Sequence, residues 1–225
     1  MAITGRAGTP DLFAEAPVEG PRVEPLADGA AVLRGFVLAT AEDHWRDIGQ
    51  VIEAAPLRRM LTPGGLRMSV AMTNCGALGW VSDRRGYRYD PVDPDSGRAW
   101  PEMPAALRSA ARAAAAAAGF DGFDPDACLV NRYEPGTRLS LHQDRDEQDF
   151  TQPIVSMSLG LPAVFLFGGL KRRDPTVRVP LCHGDVVVWG GPSRLRHHGV
   201  MAIRDGWHPL TRACRVNLTF RRAAG

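Results

Sequence analysis

"NRYEPGTRLSLHQDRDEQ", residues 131–148, sets one histidine, two aspartates and two glutamates around a short alternation of apolar and polar residues. The run Leu139, Ser140, Leu141, His142 alternates as a β-strand does, with successive side chains on opposite faces. Residues two apart then share a face and lie roughly 6.5–7 Å apart along the chain. Leu139 and Leu141 take one face, while Ser140, His142 and Asp144 take the other. An imidazole and a carboxylate on one face can converge on a metal ion, with a third ligand supplied from elsewhere. Two histidines and one carboxylate around open positions form the donor set of non-haem Fe(II) oxygenases. H-x-D alone is a common spacing, and the same pair also suits a hydrogen-bonded strand facing water.

The surrounding pattern sets the fold class. After residue 126 come "ACLVNRY", "RLSLHQD", "PIVSMSLG", "AVFLFGG", "VRVPL", "DVVVWGG", "RHHGV" and "RVNLTFR", punctuated by Gly, Pro and Asp. Many short strands at close intervals predict a β-sandwich or barrel of jelly-roll type. Upstream, "AVLRGFV" (31–37) reads as a first strand. Thr40 followed by Asp43 has the spacing of a capping box and predicts a helix through about Ala55. A second helix should run from near Pro104 to Ala118, with Gly119 ending it, and both should pack outside the strands. Between them, "MTNCGALGWVSDRRGYRYDPVDPDSGRAW" (72–100) mixes aromatics, arginines and turn residues, as in a surface loop or hairpin that contacts something. Residues 1–22, rich in Gly, Pro and Ala, should be mobile, and 23–225 should form a single domain.

Bulk composition narrows the class. The 225 residues are 44% hydrophobic and 23% charged, with a net charge of +2, so no whole-chain basic field marks a polyanion as partner. Local basic clusters do occur at Arg84, Arg85 and Arg88 and at Lys171, Arg172 and Arg173, although each also suits an ordinary solvated surface. Cys75, Cys128, Cys182 and Cys214 are scattered, which speaks against a zinc ribbon or disulfide framework and for reduced thiols in a cytoplasm. The N-terminus lacks the apolar core of a signal peptide, and no apolar run could span a bilayer. A soluble cytoplasmic protein without a membrane partner is the expectation.

His183, His197, His198 and His208 all qualify by type as the third metal ligand, and in a strand only one of the consecutive pair 197/198 can face the metal. The last strand adds an independent signal. Cys214, Val216, Leu218 and Phe220 form an apolar face, and Arg215, Asn217, Thr219 and Arg221 a polar one. Either this is an edge strand with arginines in solvent, or a polar stripe lies inside the barrel. Guanidiniums inside would be costly without carboxylate partners, which makes a dicarboxylate the natural occupant.

Together, "VNRYEPGTRLSLHQDRDE", "VSMSLGLPAVFLFGGLKRRDP", "HGDVVVWGGPSRLRHHGV" and "CRVNLTFR" resemble the AlkB family of Fe(II)- and 2-oxoglutarate-dependent dioxygenases, nearest its bacterial nucleic-acid repair members. "MLTPGGLRMSVAMTNCGALGW" and "PDACLVNRY" extend the likeness from about residue 22 to 222. The resemblance implies a mainly β fold with flanking helices: a double-stranded β-helix over about 126–222 and a nucleotide-recognition lid over about 62–100. It implies His142, Asp144 and His198 as iron ligands, and Asn131, Tyr133, Arg215, Asn217 and Arg221 for 2-oxoglutarate. Base recognition would fall to Trp80, Tyr87, Asp146 and Arg172, joined by Met72, Tyr89 and Glu147. The implied reaction consumes O₂, Fe(II) being bound, and hydroxylates the alkyl carbon of bases such as 1-methyladenine and 3-methylcytosine. Aldehyde, succinate and CO₂ leave. The implied partner is alkylated DNA, and to some extent RNA, for a monomer without an obligate protein partner. The same cofactors acting on RNA or protein, or a non-catalytic cupin-like module that binds metal and metabolite, are the alternatives.

Overall fold

A computed structural model of the chain describes residues 22–224. The mobile segment expected over 1–22 therefore lies, Arg22 apart, outside the described residues. The strands are β1 (Arg22–Ala27), β2 (Ala30–Arg34), β3 (Ala71–Gly76), β4 (Gly79–Asp83), β5 (Gly86–Asp90), β6 (Ala127–Tyr133), β7 (Leu139–His142), β8 (Ile154–Gly160), β9 (Ala163–Phe167), β10 (Val177–Leu181), β11 (Val186–Trp189), β12 (His198–Val200) and β13 (Arg215–Arg221). Two helices, α1 (Ala41–Ala54) and α2 (Ala105–Ala117), accompany them.

A seven-stranded sheet runs β1-β2-β11-β8-β13-β6-β3, and a four-stranded sheet runs β10-β9-β12-β7. Neighbours in both are antiparallel. Strand alternation divides the larger sheet into two faces. Val130, Val155, Met157, Val216, Leu218 and Phe220 point outward and pack on the helices, which contribute Ile48, Val51, Leu107, Ala111, Ala114 and Ala115. Full burial of each large apolar side chain here is worth about 1.5–3 kcal/mol. Tyr133, Ile154, Val187 and Trp189 point the other way and pack against Phe165, Phe167, Val179, Leu181 and Val200 of the smaller sheet. This is the jelly roll that the strand pattern predicts, with the helices outside it.

Both helices form where their patterns place them, but the capping box does not close. Thr40 makes no side-chain cap to α1. Its hydroxyl donates to the Val37 carbonyl and meets His44 Nε2 at 2.9 Å, because a short 3₁₀ turn (Leu38–Thr40) precedes the helix. Asp43 pairs with Arg46 instead. The far end of α2 closes as expected: Gly119, at φ +87°, donates to Ala116, and Phe120 donates to Ala115.

Within the segment expected as a lid, β3 is the edge strand of the larger sheet, pairing with β6 from Ala71↔Arg132 to Gly76↔Ala127. β4 and β5 form a separate two-stranded hairpin. Asn74, buried on β3, pins that hairpin by donating to the Trp80 carbonyl and accepting the Trp80 N–H, both at 3.0 Å.

Candidate metal centre and substrate cavity

Pairing of β7 with β12 sets His142 opposite His198, with ring centroids 4.4 Å apart. Each imidazole donates from Nδ1 to a backbone carbonyl two residues earlier: His142 to Ser140 at 2.9 Å, His198 to Arg196 at 3.1 Å. This aims both Nε2 atoms at Asp144, whose oxygens lie 3.5 Å from His142 and 3.7 Å from His198. Donor atoms of His142, Asp144 and His198 all fall within 4.8 Å of one another. A cation fits between the two imidazole nitrogens and the carboxylate, in place of any proton held there.

Asp144 reaches this point differently from the expected alternation. β7 ends at His142, so the aspartate arrives from the loop beyond it. Its backbone carbonyl accepts from Arg194 Nη1 at 2.8 Å. Its Oδ2 accepts from Arg221 Nη2 at 2.6 Å and Nε at 3.0 Å. Burial raises the Asp144 pKa, but Arg221, His198 and His142 outweigh that and hold it well below the usual carboxylate range. Burial and the neighbouring His142 push His198 down to about 3, which keeps it a lone-pair donor. Burial pushes His142 down too, yet the hydrogen bond and charge of Asp144 prevail and raise it.

The other candidate histidines lie elsewhere. His197 Nδ1 turns toward the Gly169 carbonyl at 3.4 Å, although the residue still lines the cavity wall. His183 and His208 lie against each other with ring centroids 4.4 Å apart and planes tilted by 52°, and His183 Nδ1 accepts the Gly160 N–H.

All of β13 is buried, so its polar stripe faces the inside and its arginines are not on a solvated edge. Arg215 is 1% exposed, lies with its guanidinium 5.1 Å from the Tyr133 ring centre, and donates Nη2 to Ser158 at 3.0 Å. Among the described residues, its Nε and Nη1 have no hydrogen-bond partner. A buried guanidinium with two such donors suits an anion with two acceptors, such as a carboxylate. Asn217 donates to Ser156 Oγ and the Met157 carbonyl, both at 2.8 Å, and Asn131 lies 3.5 Å from Asn217 Oδ1. The residues present fit both Fe(II) and a dicarboxylate.

These groups share one cavity of about 740 Å³ with Met72, Trp80, Tyr87, Asp146 and Arg172. Trp80 and Tyr87 stack at 5.5 Å and 13°, diagonal neighbours across the hairpin. Trp80 Nε1 donates to Asp146 Oδ2 at 2.8 Å. Tyr89 and Glu147 are not on the cavity wall: the Tyr89 hydroxyl donates to Glu147 Oε1 at 2.7 Å behind it. Arg194, Gln143, Arg138 and Asn74 also hold or line the site, and sequence reasoning missed them. Only Asn74, a polar residue inside an apolar strand pattern, carries a visible signal.

The model of the 2OG-Fe(II) oxygenase superfamily matches residues 29–221. The alpha-ketoglutarate-dependent dioxygenase AlkB of Escherichia coli K12 is 58% identical over 213 residues, 95% of this chain and 97% of that protein. Mouse nucleic acid dioxygenase ALKBH1 is 36% identical over 123 residues, 55% of this chain and 31% of its own length. The solved structure of OsALKBH1 superposes with a TM-score of 0.79 at 30% identity, covering 89% of this chain and 100% of that one. With the His-Asp-His cluster and the anion-seeking arginine already in place, these likenesses settle the family: the chain belongs to the 2OG-Fe(II) oxygenases and is an AlkB-type dioxygenase that uses Fe(II), 2-oxoglutarate and O₂.

Proposed function

We propose that this dioxygenase repairs N-alkylated bases in DNA, and secondarily RNA, by oxidising the alkyl group. One observation carries the reading: a stacked aromatic pair and a carboxylate stand in the same cavity as the His142–Asp144–His198 cluster. His142, Asp144 and His198 would hold Fe(II), which with bound 2-oxoglutarate and O₂ supplies the oxidation of a C–H bond. Arg215 would take one carboxylate of 2-oxoglutarate on Nε and Nη1, beside Tyr133, Asn131 and Asn217, while Arg221 steadies Asp144 and the end nearer iron.

The chain's own groups position and select. Trp80 and Tyr87 offer π-faces to a base, worth about 1–3 kcal/mol of stacking. Their hairpin would act as the recognition lid, with Met72 and Arg172 on the same wall. A base inside a duplex cannot reach the cluster, so it must be flipped or already single-stranded. Asp146 gives one oxygen to Trp80 and would turn the other toward the base. Bases cationic through alkylation, such as 1-methyladenine and 3-methylcytosine, would gain from that charge in a water-poor cavity. Once the alkyl carbon is hydroxylated, its C–N bond breaks and an aldehyde leaves, restoring the base. Tyr89 and Glu147 would serve recognition indirectly, through the hairpin. No described helix is long and apolar enough to cross a membrane. We read the protein as a cytoplasmic monomer needing no protein partner.

The test is turnover of 1-methyladenine and 3-methylcytosine oligonucleotides with Fe(II) and 2-oxoglutarate under air. The expected result is succinate matched one-to-one with loss of the alkyl group, faster on DNA than on RNA or methylated peptides. Succinate without demethylation of any nucleic acid would move the substrate to protein. Absence of both would leave a silent binding module.

A further inference from the structure

At the back of the cavity four charged side chains form a cluster, with Asp144 and Arg221 on the lining and Glu147 and Arg194 behind it. Arg194, Glu147, Arg221 and Asp144 are 3%, 2%, 7% and 9% exposed at their side chains. Two cations face two anions, so the cluster is neutral without help from outside. Its centre is Glu147. Oε1 accepts from Tyr89 of β5 at 2.7 Å and lies 3.2 Å from Arg221 Nε, while Oε2 is held by Arg194 Nη2 at 3.0 Å. Arg221 gives both its Nε and Nη2 hydrogen bonds to Asp144 Oδ2.

Arg194 spans both ends of the loop between the metal cluster and Glu147. Nη2 holds the Glu147 carboxylate, Nη1 holds the Asp144 backbone carbonyl, and Nε holds the Gln152 carbonyl at 2.9 Å. It follows a 3₁₀ turn (Gly191–Ser193) whose Ser193 hydroxyl is tied to the Asp28 carbonyl at 2.6 Å, and its guanidinium lies 5.4 Å from the Phe150 ring centre. Both flanking contacts aim it inward. The same loop meets the hairpin at consecutive residues, Asp146 through Trp80 and Glu147 through Tyr89.

We propose that Arg194 is a positioning residue that couples hairpin docking to the metal-ligand carboxylate through Tyr89–Glu147–Arg194/Arg221–Asp144. Without Arg194, Glu147 loses the hydrogen bond to Oε2 and turns its charge on Arg221. That guanidinium, already 3.2 Å from Glu147 Oε1, is drawn further toward it, and its grip on Asp144 loosens. At the other end, hairpin movement as a base slides beside Trp80 and Tyr87 pulls on Glu147 and is felt at Asp144. Substrate engagement and the geometry of the metal centre become one event.

This inference rests on the His142–Asp144–His198 ligand set, so the test separates the two. Full-length protein is titrated anaerobically with Co(II), and the visible bands of the cobalt-2-oxoglutarate protein are recorded before and after adding a 1-methyladenine oligonucleotide. In wild type, Co(II) binds and the bands shift with oligonucleotide. Arg194→Met weakens Co(II) at least tenfold and removes the shift, and Arg194→Lys regains part of both by restoring a charge beside Glu147. Tyr89→Phe keeps Co(II) binding and loses most of the shift. No Co(II) binding by wild type would overturn the ligand set. A bound cobalt whose bands ignore the oligonucleotide would overturn the coupling alone. So would an Arg194→Met protein with native circular dichroism, affinity and shift. If that variant does not fold, Tyr89→Phe decides, and an undiminished shift overturns the proposal.

Discussion

The floor of the cavity and the hairpin at its mouth are built by different means. The floor is strand-made: His142 and His198 face each other in register, and β13 is locked between β6 and β8, from Arg215↔Tyr133 on one side and Arg215↔Gly160 on the other. Every ladder hydrogen bond there helps fix a functional side chain. Among the described residues β4 and β5 form a sheet with each other alone, and side chains help tie them to the rest: Asn74 to the Trp80 backbone, Ser82 Oγ to the Leu61 carbonyl at 2.6 Å, and Trp80 and Tyr89 to the acidic loop. Segments held by few buried contacts open at lower free-energy cost than core strands. Under the proposed function, chemistry that tolerates little displacement would sit on the sheet, and recognition that must admit and release a base on the hairpin.

That contrast can be broken at its strongest point first. His198→Ala should weaken Fe(II) or Co(II) binding by more than about a hundredfold, beyond the loss seen when only an outer partner of a ligand is removed. His197→Ala, one residue away and turned toward Gly169, should keep most of the affinity. Equal losses by calorimetry would mean that β12 does not hold its register. The next effect is on the polar stripe. Arg215→Ala should cost about 1.5–3 kcal/mol of 2-oxoglutarate affinity, the scale of a hydrogen bond to a charged group. Anaerobic titration measures it, and unchanged affinity would remove Arg215 from the cosubstrate site.

The smallest effect sharpens the hairpin side. Asp146→Asn keeps the size of the Trp80 partner and removes the charge. It should lower kcat/KM on cationic lesions more than on neutral ones such as 1-methylguanine, with metal affinity near wild type. An equal loss on both lesion classes would reduce Asp146 to a support for Trp80.

Most strands after residue 126 were legible because alternation and turn residues are local signals, and β6, β10 and β13 match the predicted segments. The segment expected as the first strand is the second, behind β1, and ends at Arg34. The metal cluster was legible in identity but not in construction. Asp144 comes from beyond the strand end, and what aims it there is Arg194, fifty residues away in sequence. Nothing in "PSRLRHHG" distinguishes Arg194 from Arg196, whose Nη1 holds the Gly168 carbonyl. Thr40 and Asp43 had the spacing of a cap, but tertiary packing put a 3₁₀ turn before the helix and gave each another partner. The family resemblance implied Tyr89 and Glu147 as base contacts, and the structure turns them toward each other instead. Alternation along β5 sends Tyr87 and Tyr89 to the same side, and reach into the acidic loop separates them. Long-range pairing of buried charges leaves no periodic trace.

Gly199 follows the second histidine of the cluster, and a methyl group on it would stand 2.7 Å from the Leu139 carbonyl oxygen and 3.2 Å from the Leu141 nitrogen. Those atoms are backbone of the strand that carries His142, so no rotamer change makes room. An alanine at 199 would wedge the two metal-bearing strands apart at the point where their imidazoles must converge. His198 and Gly199 thus form a single unit of the proposed centre: a side chain at 199 would displace the histidine, although only the histidine has an atom to offer a metal.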